Sequence, residues 1–170
     1  ADRLQKISAQ RMLQSAYNDS PVGLFTLRDR TCIVKTNPAF QSMLDEMDWS
    51  KPVQLAQVFE PSVVHEIATM QSARPGASIE LEARCQQHGI SKWFSVKAST
   101  VDGGVNVEAS LQDITQRVQA TARLEFLANH DPLTEVLNLR GIARAFERAA
   151  HPPTALVYFD LDRFKLINDL

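Results

Sequence analysis

Residues 157–170 read VYFDLDRFKLINDL: an apolar run delivers two carboxylates, Asp160 and Asp162, one residue apart, ahead of a helix that begins at Arg163. Side chains two apart on an extended strand leave from the same face, so both carboxylates can approach one ion. Mg2+ prefers hard oxygen donors and commonly takes one or two carboxylates, completed by the phosphates of a substrate. In phosphoryl transfer such an ion neutralises the reacting phosphate and aligns the nucleophile. The same residues also have a plainer reading, with Asp162 capping the helix and Asp160 ending a strand in solvent. An EF-hand loop fits poorly, because it needs an oxygen ligand where Phe164 stands and a glycine after it.

The rest of the chain must position that pair. Its 170 residues suffice for one domain and an appendage. Eighteen Lys and Arg against twenty Asp and Glu give a formal charge of −2. No cluster of cations forms a nucleic-acid footprint. No uncharged apolar run approaches the roughly 20 residues of a membrane span. The opening ADRLQKISAQRMLQ lacks the apolar core of a secretion signal. With Cys32 and Cys85 as its two cysteines, the chain is expected to hold reduced thiols in a cytoplasmic setting.

Residues 1–18 read as a helix with Ala9, Leu13, Ala16 and Tyr17 on one stripe, ended by Asn18-Asp19-Ser20-Pro21. Two short strands follow, PVGLFTL and TCIVKT, and Asn37-Pro38 starts a helix with Asn as cap. A further helical stretch is expected over about Val53 to Gln71, interrupted near Pro61. From residue 77 the period changes to two. Ile79, Leu81, Ala83 and Cys85 alternate with Glu80, Glu82, Arg84 and Gln86; Phe94, Val96 and Ala98 share one face; so do Val105, Val107, Ala109 and Leu111. Such alternation predicts half-buried antiparallel strands joined by short hairpins at Gln87-His88-Gly89 and Asp102-Gly103-Gly104. The expected fold class is α+β: a five-stranded antiparallel sheet with flanking helices over residues 19–115. A helix follows at 116–130, with Ala120, Leu124 and Leu127 on one stripe and Val118, Ala122 and Phe126 on another. Residues 131–170 then form the start of an α/β unit: a turn and helix, a break at His151-Pro152-Pro153, the strand TALVYFD and a short helix.

Residues 19–115, with their Asn-Pro-Ala-Phe helix start at 37–40, three long strands and closing Asp-Ile-Thr, resemble a PAS sensor domain. From His130 onward, HDPLTEVLNLRG and FDLDRFKLINDL resemble the opening of a GGDEF domain, the fold of diguanylate cyclases. That resemblance implies that Asp160 and the Leu161 carbonyl bind Mg2+, that Asn168 contacts the guanine of GTP, and that Lys165 lies near the phosphates. In the family, two protomers each hold one GTP and join them into cyclic di-GMP. No Gly-Gly-(Asp/Glu)-Glu-Phe segment is present, so this chain is expected to stop inside that domain and to be inactive as a cyclase. Glu135 stands where the family has Gly after Leu-Thr, and Leu139 where it has Arg after Asn.

A PAS domain can enclose a small-molecule ligand. A flavin photoreceptor would need a cysteine on a helix, whereas Cys32 and Cys85 fall on strands. His65 could serve haem, but a lone His on an amphipathic helix is more often solvent-facing or packed, and Trp93 is expected to pack beneath a helix or line a pocket. The ligand is not readable from these residues. Asp113 and Thr115 close the last strand and open the linker helix, where their side chains can couple sheet strain to helix orientation; as a plain cap they are worth about 1 kcal/mol. The resemblance implies a homodimer through residues 1–18 and 116–130, with no nucleic acid and no membrane segment involved. The alternative is a non-enzymatic PAS dimerisation or interaction module whose degenerate GGDEF domain only binds GTP or a partner, an arrangement found among hybrids that carry an EAL phosphodiesterase further on.

Overall fold

The computed structural model describes residues 2–28, 31–45, 47–70, 76–101, 106–149 and 157–159. They form two compact units, within residues 1–120 and 121–170.

In the first unit, α1 (Asp2–Asn18) leads to strands β1 (Gly23–Arg28) and β2 (Cys32–Thr36). Helix α2 (Pro38–Met43), the two-residue β3 (Val53–Gln54), a 3-10 turn (Leu55–Gln57) and α3 (Pro61–Met70) come next. The long strands β4 (Ser78–Gln87), β5 (Ile90–Val101) and β6 (Asn106–Asp113) complete a six-stranded sheet in the order β3-β2-β1-β6-β5-β4. Each described pairing is antiparallel.

The alternation seen in the sequence is realised. Phe25, Leu27, Ala83, Cys85, Phe94, Val96, Ala98, Val107, Ala109 and Leu111 are buried on the inner face. Phe40 from α2, Leu55 and Phe59 from the turn, and Val63, Ile67 and Met70 from α3 close over them. Aromatic rings fill much of this space: Phe25 lies 4.7 Å from Phe40 and 6.3 Å from Phe59, and Phe40 meets Trp49 edge-on at 5.0 Å. Gly23 lets α2 come close, since a Cβ there would sit 3.0 Å from the Phe40 Cα.

Two expectations are corrected. The sheet has six strands rather than five, and Val53 to Gln71 is not one interrupted helix. Pro52 disfavours a helical residue before it. Val53 pairs with Ile33 and Gln54 with Cys32, while the Leu55 N–H donates to Thr31 O at 2.7 Å. The Gln54 N–H donates to Gln57 Oε1, which starts the tight turn one residue later. Burial of Val53 and Leu55, two positions apart, fits an extended step rather than a helical one.

The hairpin of β4 and β5 turns at His88 and Gly89, both at positive φ (48° and 75°), the pattern of a tight two-residue connection. Because β1 and β6 are antiparallel neighbours, with Gly23 opposite Leu111, α1 arrives and the next helix departs at the same end of the sheet. Of the α1 stripe, Ala9, Leu13 and Ala16 are exposed while Tyr17 is half-buried.

In the second unit the last turns of α4 (Thr115–Asn129), the turn 130–138 and α5 (Leu139–Arg148) pack together. Asn138 caps α5 by accepting from the Gly141 N–H at 2.9 Å, and its Nδ2 donates to the carbonyls of Ala128 and His130. Gly141 lies against the Asn129 carbonyl, leaving no room for a Cβ. The Asp131 carboxylate accepts from the Leu133 N–H, the Thr134 N–H and the Thr134 hydroxyl. The bonds from Thr134, then that from Leu133, hold it below the usual carboxylate range. Val157, Tyr158 and Phe159, expected in a strand, are exposed and outside any strand.

Candidate functional site: the junction of sheet and linker helix

Asp113 ends β6 opposite Phe94 of β5, and one residue later the ladder changes character. The Ile114 N–H still donates to Trp93 O at 2.8 Å, but the Trp93 N–H finds no backbone acceptor on the departing chain and donates to Thr115 Oγ1 at 2.9 Å. The same hydroxyl lies 3.4 Å from Trp93 O, placed to donate in return. Thr115 thus stands in for a ladder position, using its side chain while its backbone has already entered α4. Asp113 contributes differently: its Oδ1 accepts from the Thr115 N–H at 2.8 Å, satisfying a donor that the first helical turn leaves open. Ile114, buried between them, anchors the corner in the core.

A second tie runs from the next residues of the helix. Arg117 Nη2 donates to Glu82 Oε1 of β4 at 2.9 Å. Both side chains are more than half exposed, so this pair contributes at most about 1 kcal/mol. The start of α4 is therefore gripped by two strands, β5 through Thr115 and β4 through Arg117. These hydrogen bonds fix the first turn of α4 against the end of β5.

At the same end of the sheet Asn37 does comparable work for α1. It is fully buried, and its side chain makes four bonds: Oδ1 accepts from the N–H groups of Leu24 (2.8 Å) and Phe40 (2.9 Å), and Nδ2 donates to the carbonyls of Tyr17 (3.1 Å) and Val22 (2.9 Å). The Asn-Pro signal identifies the cap on Phe40; the bonds to Tyr17 and Val22, far away along the chain, carry no local signature. The Tyr17 hydroxyl reaches Leu24 O at 3.4 Å while Lys35 lies over its ring. Burial, then the Glu108 charge, raises the Tyr17 pKa.

The other sequence-derived candidates fall apart in space or outside view. Asp160, Leu161, Lys165 and Asn168 lie outside the described residues. Among the described residues, no group of three or more His, Cys, Asp or Glu is placed to hold a metal ion. His65 is exposed on α3. Trp93 is half-buried, on the opposite side of β5 from buried Phe94, with the Arg84 guanidinium 5.9 Å from its ring. Cys85 is buried with its thiol 3.4 Å from Val58 O, and burial, with Glu60 nearby, pushes its pKa up to about 11. A depression of about 550 Å3 opens on the outer face, floored by Ser78, Ser99 and Ser110 and walled by Glu80, Lys97 and Glu108.

No protein-family model matches the chain. Its architecture is similar to the PAS domain of an HTR-like protein from Haloarcula marismortui (TM-score 0.53, 18% identity, 66% of this chain and 96% of that one). It is also similar to an RNA-binding Light-Oxygen-Voltage receptor (TM-score 0.56, 21% identity, 70% of this chain and 37% of that one). The α+β fold is that of a PAS domain. In sequence, the chain is 33% identical over 85 residues (48% of this chain) to an uncharacterized protein of Mycobacterium tuberculosis. It is 33% identical over 78 residues (42% of this chain) to "Probable diguanylate cyclase DgcE" of Escherichia coli (strain K12). The chain spans 13% and 7% of the lengths of these two relatives. Among the described residues, no helix is long and apolar enough to cross a membrane.

Proposed function

We propose that the chain is the sensory and linker part of a diguanylate cyclase, in which the PAS-fold unit passes its state through α4 to a GGDEF domain that makes cyclic di-GMP from two GTP. The observation that carries the coupling is the double use of the Thr115 hydroxyl, which ties the first turn of α4 to both backbone groups of Trp93. The partial similarity to a probable diguanylate cyclase supports the output. In that output domain the hard oxygen donors of Asp160 and the Leu161 carbonyl suit Mg2+, which would offset phosphate charge when bound. Lys165 would add a cation beside the phosphates and Asn168 would hydrogen-bond the guanine edge. Exposed Leu13 on α1 and Leu124 and Leu127 on α4 supply apolar stripes for a homodimer.

The test uses the longer protein that contains this chain. Asp160→Ala is expected to abolish cyclic di-GMP synthesis with dimerisation intact, and unchanged turnover removes Asp160 from the metal site. Thr115→Val, similar in volume but without the hydroxyl, is expected to change the response of synthesis to the input signal while Asp160-dependent chemistry remains; an unaltered response refutes the coupling role.

One observation favours a second reading, a degenerate GGDEF domain that only binds GTP. Glu135 holds a left-handed conformation (φ 59°) where the family resemblance places glycine, so the entrance to that domain departs from its pattern. An intact Gly-Gly-(Asp/Glu)-Glu-Phe loop after Leu170 decides for the enzyme.

A further inference from the structure

We propose that β4 is a dimerisation edge, pairing antiparallel with β4 of a second copy about a two-fold axis at Ala83. The proposal is independent of the cyclase reading and of the helical stripes.

The two edges of the sheet are unequal. β3 is two residues long, which blunts one side. β4 is ten residues long, in unbroken register with β5 from Ser78–Ser99 to Gln87–Ile90, and among the described residues no strand lies beyond it. Such an edge presents a row of main-chain donors and acceptors, which proteins ordinarily protect with proline, lysine, a bulge or an inward charge. The sequence SIELEARCQQ has no proline, lysine or register break, and Ile79, Leu81, Ala83 and Cys85 face inward, so its protection is limited to the outward charges of Glu80, Glu82 and Arg84.

Its outward residues instead complement themselves. A two-fold that keeps the inner faces continuous must pass through a residue position, because opposed residues in an antiparallel pair share a face. Centred on Leu81, it opposes Glu80 to Glu82 twice; on Glu82, it opposes that carboxylate to its own copy; on Arg84, two guanidinium groups meet. Centred on Ala83, it sets Glu82 against Arg84 of the other copy, twice by symmetry, with Glu80 against Gln86 and no like charges opposed. Glu82 and Arg84 are both exposed; Glu82 also holds Arg117 of its own chain at 2.9 Å and Arg84 donates to the Ser91 hydroxyl, so a second copy would share these charges with partners they already have. Directly opposed pairs of opposite sign stabilise a strand pair, and like pairs destabilise it.

Sedimentation velocity over a concentration series tests this in the full chain. Glu82→Arg or Arg84→Glu alone turns two attractive pairs into two repulsive ones and is expected to raise the dimer dissociation constant roughly tenfold. Made in an Arg117→Gln background, which removes the partner Glu82 has within its own chain, the double variant Glu82→Arg/Arg84→Glu restores opposite charges and is expected to bring it back near the value of that background. A second measurement fixes the register: in an equimolar mixture of Glu82→Cys and Arg84→Cys chains, mild oxidation is expected to give a disulfide between position 82 of one copy and position 84 of the other, identified by peptide mapping. A chain that stays monomeric, a dimer indifferent to the charge swap, or cross-links that join 82 to 82 or omit both positions overturns the proposal.

Discussion

Replacing Asn37 probes the fold at its most densely bonded polar side chain. Asn37→Ala removes four hydrogen bonds at a fully buried position. Loss of the cap on Phe40 alone costs about 1 kcal/mol. The Leu24 N–H loses its partner in part-buried surroundings, and such an orphaned group costs ~1–3 kcal/mol, whereas the Val22 carbonyl keeps the Ser20 hydroxyl at 3.2 Å. The Tyr17 carbonyl ends α1 and can rehydrate more easily. The sum is roughly 2–4 kcal/mol, against a typical domain stability of about 5–15 kcal/mol. Urea unfolding followed by Trp fluorescence reads this directly as a fall in the midpoint. Asn37→Asp separates the two halves of the network, because a carboxylate keeps both acceptor bonds and loses both donor bonds. Burial without a cation raises the pKa of the new carboxyl in the folded state above its unfolded value. The penalty is therefore smallest below the unfolded pKa, where the group is neutral and can donate once, and grows as pH rises through the folded value. A loss below 1 kcal/mol for Asn37→Ala, or an Asn37→Asp penalty that shrinks as pH rises, refutes the four-bond account.

Three further outcomes are expected. Glu135→Gly relieves a non-glycine residue at φ 59° and stabilises the second unit by about 1 kcal/mol, measured by amide exchange over residues 131–148. Gly141→Ala forces a methyl group into the Asn129 carbonyl and costs roughly 3 kcal/mol, seen as loss of exchange protection over the same segment with residues 23–113 unaffected. Cys85, whose folded pKa is raised to about 11, contributes stability that is complete below its unfolded value and lost as pH climbs toward 11; its alkylation at pH 8 tracks global unfolding, whereas half-buried Cys32 reacts earlier.

The long strands were readable because one physical signal, alternation of apolar and polar residues, repeats over eight to twelve positions in each. The same signal cannot announce β3, which is two residues long and owes its existence to the backbone of Cys32 and Ile33. Asn37 was legible as a cap because capping is local, but its bonds to Tyr17 and Val22 span 20 and 15 residues and depend on the fold already being made. Asp113 and Thr115 were identifiable from their place between a strand and a helix. That the Thr115 hydroxyl replaces a rung of the β-ladder required the position of the Trp93 backbone. The departure at Glu135 was visible as a residue type, and its left-handed backbone supplies the physical content.

Since β1 and β6 lie side by side and run in opposite senses, the chain enters and leaves this domain through one doorway. A polypeptide interrupted there resumes close to where it broke off. Such a unit can be spliced between two helical stretches of an unrelated gene, or doubled in tandem, without re-routing whatever flanks it, which makes it interchangeable cargo for evolution rather than a bespoke part.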